Sequence, residues 1–132
     1  MEDGGLRMEE KMEEKANFEK LRVYQQALLF VEMVYQITKS FPKEEQYGLT
    51  SQFRRAAMSI PLNIAEGQGR SGRAESKQFL QISKASLHEI LAVLEIAYHQ
   101  KYLSQTDRAQ IRRESFSIIK QIQGMINYLK EA

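Results

Sequence analysis

Six polar side chains recur at helical spacing in mid-chain: Gln52, Arg55, Ser59, Asn63, Glu66 and, past the expected helix end, Arg70. Steps of three and four place them on one helix face, beside an apolar stripe. Asn63 lies between Ile60, Ile64 and Gly67, so its amide is expected to be partly buried and to need hydrogen-bond partners. Glu66 falls in the last turn, where a carboxylate faces the negative end of the helix dipole. Arg70 or Arg73 is placed to offset that. A structural corner of Asn63, Glu66 and Arg70 is the simpler reading, because ion pairs more often fix geometry than perform chemistry. A ligand-binding or catalytic role is the alternative.

Gly67, Gly69 and Gly72 precede a helix start flanked by Arg70, Arg73 and Lys77. Backbone N–H groups at such a start attract anions, which makes a phosphate contact to RNA or DNA the sharper reading and a plain C-cap at Gly67 the simpler one. No strand signal precedes the loop and no Gly-Lys-Ser/Thr follows it, so a nucleoside-triphosphate loop is not expected. His88 and Glu95 share a helix face but stand seven residues apart, about 10 Å along the axis, too far for one metal ion. Glu95 and His99 read as a surface pair. Ser59, Ser76, Ser83 and Ser86 have no histidine base that spacing reveals. No catalytic residue, metal site or cofactor is therefore predicted. Arg54, Arg55, Arg108, Arg112 and Arg113 give basic faces on the second and fourth helices, either solvated or bound to nucleic acid.

These residues need helices to position them. The first should run from Asn17 or Phe18 to Lys39, with Asn17 as N-cap and Leu21, Tyr24, Leu28, Val31 and Tyr35 as its stripe; Phe41-Pro42 ends it. The second starts between Glu44 and Tyr47, with Leu49, Phe53, Ala56, Ala57, Ile60 and Ile64 as its apolar face. Pro61 falls inside that pattern, and the stripe continues in phase across it, which predicts one kinked helix. The third spans about Arg73 to Lys101 and is apolar on nearly all sides around Ile90, Val93, Leu94, Ile96 and Ala97. Those five are predicted to pack against another subunit. The fourth opens at Ser104 with Asp107 three residues on, close to a capping box. Its stripe is Ile111, Ser115, Ile118, Ile122, Met125 and Leu129. No period-two strand signal occurs, so the fold class is all-α: an antiparallel up-down-up-down four-helix bundle.

The totals agree. The 132 residues suit one domain with a proper core, and 42% apolar against 27% charged is ordinary globular composition. No cysteine occurs, which excludes disulfides, thiolate metal sites and cysteine nucleophiles and fits a cytoplasmic protein. No apolar run is long enough for a membrane span, and no signal-peptide core opens the chain. Residues 1–16 form a charged extension with six acids, three bases, Met8 and Met12, read as a tail or a frayed helix. That leaves 16 bases against 11 acids for the bundle domain at 17–132, a mildly basic balance compatible with nucleic acid. An acid-rich tail is usually solvated; docking on its own chain as an anionic mimic is the alternative.

Several blocks are specific enough to compare: Leu21…Tyr24-Gln25…Ala27, Tyr47-Gly48-Leu49-Thr50-Ser51-Gln52-Phe53-Arg54-Arg55-Ala56-Ala57, Ser59-Ile60-Pro61-x-Asn63-Ile64-Ala65-Glu66-Gly67, Arg70, Phe79-Leu80 and Ala85-Ser86-Leu87-x-Glu89. Together they resemble the bacterial 23S rRNA intervening-sequence protein family, over about residues 17–130. Tyr24 stands where that family often has tryptophan, and the charged extension departs from its pattern. The resemblance implies a four-helix bundle assembled as a homo-pentamer, with no established enzymatic activity. Distant bundle relatives bind nucleic acid beside a reverse transcriptase. The reading that results is a non-enzymatic homo-oligomer whose ligand is RNA or other nucleic acid, with Arg54, Arg55, Arg70, Arg73, Lys77, Arg108, Arg112 and Arg113 as contacts. The alternative is an oligomeric scaffold for protein partners.

Overall fold

A computed structural model of the chain describes Glu14 and residues 16–131, and the rest of the charged extension lies outside it. Four helices carry the fold: α1 (Arg22–Thr38), α2 (Leu49–Gln68), α3 (Arg73–His99) and α4 (Gln105–Glu131). Two short 3-10 turns, Asn17–Lys20 and Lys43–Glu45, precede α1 and α2, and no strand occurs among the described residues. Contacts between residue pairs give the directions. Tyr35 and Thr38 meet Met58 and Arg54, Ser83 and Ser86 meet Ile60 and Ser59, and Lys84 and Glu95 meet Gln123 and Arg108. Rising numbers on one helix meet falling numbers on the next, so successive helices are antiparallel. The bundle is up-down-up-down, as the periodicity predicts.

The first helix departs from expectation in two ways. Asn17 caps nothing: it begins a 3-10 turn, Leu21 is extended (φ −73°, ψ 129°), and α1 starts after it. Phe18 folds back on Tyr24, ring centroids 4.9 Å apart, which gives that turn its own anchor. The core face is also one residue out of phase with the expected stripe. Val23, Ala27, Phe30, Val34 and Thr38 are buried, whereas Tyr24, Val31 and Tyr35 are half-buried and Leu28 is 44% exposed. Leu28-Leu29-Phe30-Val31 is apolar on every side, so spacing alone could not choose the face.

In α2 the predicted stripe holds, with Phe53, Ala56, Ala57, Ile60 and Ile64 buried. The helix passes unbroken through buried Pro61, which offers no N–H to the Ala57 carbonyl. Beside it the buried Ser83 hydroxyl donates to the Ile60 carbonyl across 2.9 Å, tying α3 to this weakened turn. Gly67 is not the C-cap. It is buried within α2, and Gly69 ends the helix, its N–H reaching the Ala65 and Glu66 carbonyls.

The expectation for α3 also needs correcting. Ile90, Val93, Leu94 and Ala97 lie in the subunit's own core, at no more than 4% exposure, and of the five expected contacts Ile96 alone, at 53%, faces outward. Helices α2 and α4 between them cover the lanes that the sequence assigned to another subunit. The helix ends at His99, and just past its Gln100 cap the φ of 65° at Lys101 lets Tyr102 N–H return to the Ala97 carbonyl at 3.0 Å. Ser104 then caps α4, accepting from Asp107 N–H at 3.1 Å, and Ile111, Ser115, Ile118, Ile122 and Ile126 complete the core.

Candidate nucleic-acid interface

The up-down-up-down path brings the start of α1, the α2–α3 turn and the end of α4 to one end of the bundle. There they enclose an open groove of about 700 Å³. Its floor is apolar, from Leu21, Val23, Leu80, Met125 and Leu129, and its rim is cationic, from Arg22, Arg70 and Arg73. Tyr128 stands at the edge with 68% of its surface exposed. Gly72, the N-cap of α3, has no side chain to cap the helix, so the first-turn N–H groups add positive potential to the rim. Glu75 in that turn offsets part of it.

The three arginines differ. Arg70 donates to Glu66 at 3.0 Å, comes within 4.0 Å of Glu75 and lies over the Phe79 ring at 4.8 Å. Arg22 and Arg73 are exposed, and neither has a carboxylate within 4.0 Å among the described residues. The polar corner thus divides. Glu66 and Arg70 pair as expected, but Asn63 turns away, donating to the Ser59 carbonyl at 2.8 Å and its hydroxyl at 2.9 Å. Ser86 closes that second network with a 2.7 Å bond to Ser59. It borders a smaller hollow between α2 and α3 lined by Gln52, Arg55 and Glu89.

Other basic candidates are already engaged. Arg54 donates to Thr38 at 2.8 Å and stacks on Tyr35 at 4.5 Å. Arg108 grips Glu95 with two bonds, 2.7 and 2.9 Å, and Arg112 comes within 3.5 Å of the same carboxylate. Hydrogen bonding to Arg108 is the main cause holding the Glu95 carboxyl below its ordinary pKa, and the same bond raises that of Arg108. The Glu95 carboxylate bonds the arginines, and the His99 ring meets the Glu95 backbone carbonyl at 2.9 Å. Arg55, Arg73 and Arg113 are exposed and Lys77 is half-exposed. Among the described residues no three metal-ligating side chains converge, and no helix is long and apolar enough to cross a membrane.

Spacing could not bring Arg22 and Tyr128 together, since 106 positions separate them. Topology could have: an antiparallel four-helix path puts both at the same end.

Fold and groove define an all-α four-helix-bundle protein with an amphipathic, cationic cleft at one end. The chain matches the family of 23S rRNA-intervening sequence proteins over residues 19–124, and it belongs to that family. A crystal structure of a protein of unknown function from the S23 ribosomal protein family of Bacteroides thetaiotaomicron is similar, with a TM-score of 0.73 at 23% identity over 79% of this chain and 97% of the other. Among curated proteins no similar sequence is found.

Proposed function

We propose that this chain is a non-enzymatic, homo-oligomeric cytoplasmic protein that binds nucleic acid, RNA foremost, in the groove at the bundle end. One juxtaposition carries the reading: Arg22 and Arg73, free of carboxylates among the described residues, flank an apolar floor beside exposed Tyr128. Cations that track phosphates next to an aromatic face suit a single strand, whose bases can stack without sequence preference. The basic balance of the bundle adds attraction at longer range. The family's description names intervening sequences of 23S rRNA, which makes RNA the first ligand to try. Anisotropy of a labelled single-stranded RNA titrated with the full chain is the test. Salt-sensitive binding supports the reading, and a flat titration at low salt refutes it, leaving an oligomeric scaffold for protein partners.

Assembly has its own observation. The half-exposed stripe of Leu28, Val31 and Tyr35 on α1 runs beside Met58 and Leu62 on α2, with the Tyr35 hydroxyl 3.4 Å from the Met58 sulfur. Leu62 is 64% exposed and Leu28 44%. Exposed apolar side chains on two neighbouring helices fit a subunit contact better than the buried α3 residues do, and five is the subunit number implied by the family resemblance.

A further inference from the structure

The acid-rich extension and the groove have opposite chemistry and adjacent positions. Residues 1–16 carry six acids against three bases, with Met8 and Met12 four apart. The described chain enters through the Asn17–Lys20 turn, and the next two residues, Leu21 and Arg22, are already wall and rim of the groove. Buried Leu80 and half-buried Met125 and Leu129 offer the floor a methionine side chain would cover. Thirteen residues reach up to about 43 Å when extended, far more than a groove of this size requires.

We propose that residues 1–13 dock in the groove of their own chain, with Glu9, Glu10 and Glu13 against Arg22 and Arg73 and Met8 and Met12 on the apolar floor. A short tether sets an effective concentration on the order of millimolar, so even a weak intrinsic contact is well populated. An anionic ligand that uses the groove then competes with a weak contact, which lowers its apparent affinity without abolishing binding. Docking itself concerns the chain alone, so it stands or falls apart from the nucleic-acid reading.

The chain has no cysteine, so Lys11→Cys gives one attachment point for a nitroxide in the full-length protein. Methyl resonances of Met125, in the groove, and of Met33 and Met58, on α1 and α2 away from it, report proximity even in a large assembly. Loss of the Met125 signal at low salt, with Met33 and Met58 retained, is expected. The signal should return at about 1 M salt, where the Debye length falls to ~3 Å, and in the Arg22→Glu/Arg73→Glu variant. Equal broadening of all three methyls, an unbroadened Met125, or broadening only when label and methyl sit on different chains overturns the proposal.

Discussion

The hydroxyl of Ser76 donates to the carbonyl oxygen of Gly67 across 2.8 Å, joining the last turns of α2 to the first turn of α3. A Cβ built on Gly67 would lie 3.2 Å from the Ser76 carbonyl oxygen and 3.4 Å from the Phe79 Cβ. The glycine serves close approach between two helices, and both neighbours are backbone or near-backbone atoms that yield little.

Replacing Gly67 therefore sets helix propensity against crowding. Gly67→Ala gains roughly 1 kcal/mol of intrinsic helix preference, while overpacking of this kind costs about 1–3 kcal/mol. A net loss of about 1 kcal/mol is expected in urea unfolding, with a larger loss for Gly67→Val. Ser76→Ala should cost about 1 kcal/mol through the lost bond.

Lys101 holds a left-handed backbone at φ 65°, a conformation that costs a residue with a Cβ roughly 1–2 kcal/mol. Lys101→Gly should raise the unfolding midpoint by a few degrees, a rise of roughly 0.5–1 kcal/mol after glycine's greater freedom in the unfolded chain is charged against it. Calorimetry on the two proteins at equal concentration checks this.

Much of the bundle was legible from apolar periodicity, and each miss has a physical cause. The second and fourth helices carry one apolar lane each, so Phe53, Ile60, Ile111 and Ile118 fell where expected. On α1 the run Leu28 to Val31 has no polar side to fix its phase, and the core face lies one residue away from the expected stripe. On α3 a wide apolar face read as surplus, yet α2 and α4 cover it. Glu66 with Arg70 is an i,i+4 pair and could be read locally; Glu95 with Arg108 crosses between helices and could not. The groove was least legible, because its rim draws on three separate stretches of chain.

The Glu95–Arg108 contact predicts a pH dependence. A carboxyl whose folded pKa is depressed adds stability that is present above its unfolded pKa, about 4.3, and is lost as pH falls through the lower folded value. Glu95→Gln should thus lower stability at neutral pH, and the gap to the parent should narrow once pH drops below about 4.3. Urea titrations across that range measure it; a gap independent of pH would assign the loss to packing.

The apolar band on α1 and α2 predicts the effect of a charge at its most exposed member. On the proposed assembly, Leu62→Asp should give a monomer in light scattering while leaving helical content unchanged, since Leu62 is 64% exposed in the single subunit. Ile82→Asp, on α3 and also exposed, serves as the control that should leave assembly intact.

The most direct measurement is RNA binding by the full chain at about 50 and 200 mM salt, compared with Arg22→Ala/Arg73→Ala, Tyr128→Ala and Arg113→Ala. Three phosphate contacts at the groove give a slope near −2 in log affinity against log salt, or roughly 20-fold weaker binding over that range. Removing Arg22 and Arg73 should lower the slope by about 1.4, and losing Tyr128 stacking should cost roughly 1–3 kcal/mol. Arg113 lies outside the groove, and its loss should change little. Equal weakening by Arg113→Ala, or no binding at the lower salt, would contradict a nucleic-acid site at the bundle end.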